Sequence, residues 1–171
     1  MTTLVADRLA LFQRLFLLIC GVWVGSLFAV GYLVVPTIFT ALQDRQVAGM
    51  IAAAIFQVEA YLSVAVCLSL LVLANLLVWR NLEHYRSIRW ITFVLLLSSL
   101  LTCFGLIPYM DALRREALLL GIPVMASSSA SLFGRLHGIS SGLFLIQSLL
   151  GLWVVWRLTR SQQTLNLPNR N

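Results

Sequence analysis

Two side chains of this 171-residue chain stand where chemistry could occur. His137, in the stretch "FGRLHGIS", sits where a polar segment passes into a long apolar run. Glu59 is the one acid set in an apolar context. An imidazole titrates near pH ~6.5, so it can bind a metal, relay a proton or simply hydrogen-bond a neighbour. A charge at mid-bilayer costs roughly 2.5–3.5 kcal/mol on insertion scales, so acids in such places tend to have a use. For Glu59 the plainer alternative is a side chain that reaches to the lipid headgroups. For His137 it is a polar residue that starts a helix. No nucleotide-binding loop, nucleophile elbow, H-E-x-x-H or paired-carboxylate motif accompanies them. Cys20, Cys67 and Cys103 all lie in apolar runs without C-x-x-C spacing, and read as small buried hydrophobes.

The elements that must position these groups follow from composition. Hydrophobic residues make up 60% of the chain and charged residues 11%, where a soluble domain carries roughly 25% charged. Too little charge is present to solvate an aqueous surface, so the surrounding solvent is largely lipid. The net charge is +6, and all 12 basic residues are arginine. They form short clusters beside apolar runs, which is the pattern of membrane anchoring and not of a nucleic-acid surface. Four runs are long enough to cross hydrocarbon as helices: 15–42, 60–79, 90–109 and 136–156. The fold expected is an all-α membrane protein, a bundle of four transmembrane helices forming one domain over 1–160, with a disordered polar tail over 161–171.

Arginine placement predicts direction. With the amino terminus in the cytoplasm, eight arginines lie inside and four (Arg45, Arg114, Arg115, Arg135) outside, which favours both termini inside. Trp79, Trp90, Trp153 and Trp156 then line one interface, and Tyr32, Tyr61 and Tyr109 the other. The second helix is predicted to be extended or bent. Asp44 can cap it, and helical spacing continues from Arg45 to Trp79, about 50 Å at 1.5 Å per residue. "DALRREALLL" reads as a short amphipathic helix in the third loop. Pro36 and Pro108 should kink or end their helices.

This topology puts Glu59 and His137 at the outer side, with Tyr109, Arg135 and Asp111 at similar depth, as a candidate polar site. His84 falls on the other side, so the topology argues against a haem held by both histidines of one chain. A metal at His137 stays open, and no cofactor is indicated. Gly21 and Gly25 on the first span, and Gly134, Gly138 and Gly142 on the fourth, recur at four-residue intervals that suit close helix packing or a homodimer seam. Ser98, Ser99 and Thr102 can bond either their own backbone or a neighbouring helix.

The order "WVGSLFAVGYLVVPTIF", "IPYMDALR", "FGRLHGISSGLFLIQSLLGL" resembles the bacterial membrane family called domain of unknown function 4149 and, more distantly, eukaryotic transmembrane protein 205. The matching residues are Trp23, Gly25, Pro36, Phe39, Pro108, Arg114, Leu136, His137 and Ser140; Tyr109 stands where members often carry Arg. The resemblance implies four helices in the bacterial inner (cytoplasmic) membrane and no established activity. One functional reading is a non-enzymatic structural or interaction subunit. Its partners would be membrane lipid and a second copy or a larger membrane complex, with no nucleic acid. This reading predicts mostly apolar lining between the helices. The other is a small carrier or sensor for a metal ion, proton or small ligand, which predicts an outward-open polar cavity touching Glu59 and His137. An enzyme or haem protein ranks last. The topology has a direct check: reporter fusions at Asn171 and within 124–130 are expected to report opposite sides of the membrane.

Overall fold

The computed structural model describes the backbone of residues 2–165 and the side chains of residues 8–160. Helix dominates, and no strand occurs among the described residues. Helix α1 (Thr2–Phe28) runs through a π-helical segment, Ala29–Val34, into α2 (Val35–Ala41). Helix α3 is Arg45–Trp79. Helix α4 (Tyr85–Leu100) runs through a second π-helical segment, Leu101–Leu106, into α5 (Ile107–Leu119). Helix α6 spans Ala130–Leu165. Four continuous stretches are long and apolar enough to cross a bilayer: Arg8–Ala41, Arg45–Trp79, Tyr85–Leu119 and Ala130–Arg160. Their outward faces carry large apolar side chains such as Leu18, Val22, Val58, Val72 and Phe104, each more than half exposed. Such a surface is stable only against lipid, and the chain is a polytopic membrane protein.

Asp44 caps α3 as its sequence predicts, its carboxylate accepting from the Gln46 and Val47 backbone N–H groups at 2.8 and 3.2 Å. At 35 residues, α3 is the extended helix expected from its periodicity. It ends at Trp79, with Arg80 as the C-cap, followed by Asn81 at φ 64°, a left-handed conformation that asparagine tolerates. The two prolines neither end nor break their helices. Each follows a π-helical turn, in which the Val35 N–H bonds the Val30 carbonyl and the Ile107 N–H bonds the Thr102 carbonyl. Proline lacks the N–H for the α-helical bond and its ring crowds the carbonyl four residues back; the wider turn before it leaves that ring room. "DALRREALLL" is helical, but it extends the third span through α5 instead of standing alone in the loop. Helix α6 continues to Leu165, and residues 166–171 of the expected tail lie outside the described residues.

Helix α1 packs on α3 and α6, and α4 packs on α3 and α6, giving an up-and-down bundle of four antiparallel neighbours. The half nearer the termini is solid. Phe16, Trp23, Leu27, Leu70, Leu77, Tyr85, Ile88 and Val154 are all buried in one cluster there. The Phe16 and Tyr85 rings meet edge to face at 5.5 Å. The other half is hollow. Its small cluster, Ala60, Cys103, Ile107 and Met110, lies against one wall. The reason is local: the stretch of α3 that faces inward here carries Gly49, Ala52 and Ala53 where its lower half carries Leu70 and Leu77.

The five glycines expected at helix contacts are not contact points within the chain. A Cβ added at Gly21, Gly25, Gly134, Gly138 or Gly142 meets nothing within 4 Å. Spacing gives a stripe but not the direction it faces. Two other glycines carry the close approaches. Gly31 lies under the Phe144 ring, and a Cβ at Gly151 would sit 2.7 Å from Val24 Cγ2 and 3.4 Å from Trp23. Gly151→Leu is therefore expected to cost about 1–3 kcal/mol by overpacking and to lower the thermal midpoint in detergent. Gly138→Leu is expected to leave it unchanged.

Candidate functional site

Four hydrogen bonds cross between helices near mid-length. Trp23 Nε1 on α1 donates to Ser63 Oγ on α3 at 2.9 Å. Ser26 Oγ on α1 donates to Glu59 Oε1 on α3 at 3.0 Å. Gln147 Nε2 on α6 donates to Ser99 Oγ at 3.1 Å and Ser98 Oγ at 3.2 Å, both on α4. Glu59, Ser63, Ser99 and Gln147 are all buried. Each of these side chains sits in an otherwise apolar helix, where an unpaired polar group has no water to bond, so the pairs fix the rotation of one helix against the next.

Above this layer lies a cavity of about 1090 Å³, running from the end opposite the termini down to mid-length. Its walls are mainly apolar, with Tyr32, Phe39, Phe56, Phe133 and Phe144 prominent. Phe56 and Phe144 meet edge to face at 5.2 Å. Its floor is polar: Glu59, Ser63, Ser99, Thr102 and Gln147. Its mouth is charged: Asp44, Arg45, Asp111 and Arg114. Arg114 pairs with Asp111 one turn away and lies 5.6 Å from the Phe133 ring centre.

The floor is built from two similar hairpins. Ser26 and Ser98, the two π-helical segments, and Pro36 and Pro108 are each 72 residues apart; Phe56 and Phe144, and Glu59 and Gln147, are each 88 apart. In each hairpin a serine on the first helix bonds the long polar side chain of the second. One hairpin holds a carboxyl at that place and the other a carboxamide.

The expected polar cluster divides. Glu59, Asp111 and His137 line the cavity. Tyr109 and Arg135 are exposed and do not. Glu59 is not a headgroup-seeking residue at a helix end. It lies near the middle of α3, 5% exposed, with Ser26 as its partner. Counting back from Trp79 misplaced it because α3 continues a further 14 residues beyond it, to Arg45. Ser26 has one hydrogen and two acceptors in reach, Glu59 Oε1 and the Trp23 carbonyl at 2.8 Å. The same contact therefore accommodates Glu59 as a carboxylate or, donating its own proton to Ser26, as an acid.

No hydrogen bond joins Glu59 to His137. The His137 ring stacks on Phe133 at 6.3 Å, with planes 2° apart, and half a dozen residues of α6 separate it from the level of Phe144. His84 lies at the other end of the bundle beside Arg157, about 30 Å along α6 from His137. Its Nε2 is buried without a partner, and burial, with the Arg157 charge second, holds its imidazole below the ordinary histidine range. Two histidines so placed cannot share one iron. Among the described residues no three His, Cys, Asp or Glu side chains gather as metal ligands.

Gln147, Ser26 and the Trp23–Ser63 bond were not singled out from the sequence. A glutamine inside an apolar span is the signal that could have found the first. Gln147→Leu removes a donor from two serines. It is expected to lower stability in detergent by about 0.6–1.7 kcal/mol, the range for hydrogen bonds between membrane helices, while Gln147→Glu is expected to weaken the pair through loss of its N–H donors.

No curated protein and no solved structure matches the chain. The family model described as Domain of unknown function (DUF4149) matches residues 18–118, which contain Glu59 and the serines of both hairpins, and the chain belongs to that family.

Proposed function

We propose that this protein binds an amphipathic, lipid-like molecule in the cavity between its helices, acting as a small carrier or sensor in the bacterial inner membrane with both termini in the cytoplasm. The single observation that carries this reading is the cavity itself. At about 1090 Å³ it lies just above the usual range of small-molecule sites, roughly 300–1,000 Å³, with room for a long-chain ligand. Apolar walls with polar groups confined to floor and mouth match a molecule with a long apolar body. A metal ion or a bare proton would need neither the volume nor the aromatic walls. The arginines and tryptophans at the termini end support the orientation: Arg157 and Arg160 lie 5.0 and 4.8 Å from the ring centres of Trp153 and Trp156, the composition of a cytoplasmic interface.

A second reading, a subunit that packs against a second copy or a larger complex, is favoured by the open face at Gly134, Gly138 and Gly142. One experiment separates the two. Trp23 is buried and bonded to the cavity floor, so a protein with the other four tryptophans replaced by Phe reports on the cavity alone. In nanodiscs, 1-bromododecane is expected to quench Trp23 saturably. Gly49→Phe should abolish this, because a Cβ at Gly49 meets nothing within 4 Å and the ring enters the empty space. Quenching that never saturates, or that survives Gly49→Phe, overturns the binding reading. Self-association lost in Gly138→Leu, with no saturable quenching, supports the second.

A further inference from the structure

We infer that the cavity is selective for a cationic head group: its ligand is a long-chain amine or a related ammonium amphiphile, held at the floor by Glu59 and Gln147. This rests on the binding reading above and adds the chemistry of the ligand.

The inference follows from which hydrogen-bonding groups remain unused. Glu59 is 5% exposed and faces the cavity. Ser26 contacts only Oε1, which leaves Oε2 open. No cation pairs with it: among the described residues the one ion pair is Arg114 with Asp111. Gln147 presents an acceptor too. The Ser99 hydroxyl donates to the Leu95 carbonyl at 2.9 Å and accepts from the Gln147 amide nitrogen at 3.1 Å. That leaves the Gln147 carbonyl oxygen without a donor. Thr102 is the third group. On the same span, Thr92 and Ser99 donate to the carbonyl four residues back. Thr102 lies in the π-helical segment, where the α-helical ladder is interrupted, and its buried Oγ1 has no partner.

The floor thus offers a carboxyl oxygen and an amide oxygen, with the unpaired Thr102 hydroxyl buried among its lining residues, and no fixed positive charge. An ammonium brings up to three N–H donors and a charge opposite to that of a carboxylate. A carboxylate or phosphate head would bring acceptors to acceptors and repel Glu59. A hydroxyl head has one donor and no charge. The equivalent place in the second hairpin is Gln147, whose N–H donors are already engaged by Ser98 and Ser99. The carboxyl at Glu59 therefore distinguishes the two halves of the floor, and an ammonium is the head group that stabilises it as a carboxylate.

The test uses the single-tryptophan protein in nanodiscs, with 1-bromododecane as the quencher and unlabelled dodecyl compounds as competitors. Dodecylamine is expected to reverse the quenching at a concentration at least tenfold below dodecanol, as a hydrogen bond to a charged group is worth about 1.5–3 kcal/mol, and dodecanoate should be weaker still. In Glu59→Gln, which keeps an acceptor for Ser26, the amine and the alcohol should come within about twofold of each other. If bromododecane quenches saturably but amine and alcohol compete equally in the unaltered protein, the head-group inference is wrong and the binding reading stands. If Glu59→Gln retains the full preference for amine, Glu59 is not its cause. Absence of any saturable quenching overturns the binding reading itself.

Discussion

The structure depends on one constraint: a polar side chain inside hydrocarbon must find its partner within the protein. Three such pairings meet near mid-length, Trp23 with Ser63, Ser26 with Glu59, and Gln147 with Ser98 and Ser99. They join α1 to α3 and α6 to α4. Apolar packing alone leaves membrane helices free to rotate and slide, because lipid is as good a neighbour as leucine. The polar layer removes that freedom, and it divides the bundle into a packed half below and a hollow half above.

The two hairpins reach the same solution with different residues. Each has a π-helical turn followed by proline, and each brings a serine against a long polar side chain. The π turn has two effects. It makes room for the proline ring, and it takes Thr102 out of the bonding pattern its neighbours Thr92 and Ser99 follow. π-helical turns recur at functional sites for this kind of reason. The symmetry is broken at one place, where a carboxyl stands opposite a carboxamide. The hydrogen-bonding inventory of the floor follows from that difference.

Much of the fold was legible in the sequence because its signals are local. Apolar run length gave the four spans, Asp44 marked the start of α3, and periodicity carried α3 to 35 residues. Rotation about each helix axis is not local, and readings that needed it did not hold. The glycine intervals are present, but Gly21, Gly25, Gly134, Gly138 and Gly142 face away from the neighbouring helices, while the unpatterned Gly31 and Gly151 lie against them. Of the candidate site, Glu59 and His137 do share one cavity with Asp111, yet Glu59 pairs with Ser26 and His137 stacks on Phe133. A two-residue contact across α1 and α3 cannot be read from either helix alone. Gln147 was visible as a polar residue in an apolar span, and its partners were not.

The hollow half is the strongest argument that the bundle has a use beyond its own assembly. Interiors are close-packed, and an unfilled space forfeits the contacts its lining would otherwise make. Filling it would be simple. Helix α3 fills its lower half with Leu70 and Leu77, and the same helix places Gly49, Ala52 and Ala53 where leucines would close the upper half. The loss is local, and it sits directly above the one acid buried among the described residues and an unpaired hydroxyl. A protein that only needed four helices to hold together would be more stable without either feature. Departures from good packing and from full hydrogen bonding that coincide at one place are where function is expected, and here both converge on the part of the cavity lined by Glu59, Thr102 and Gln147.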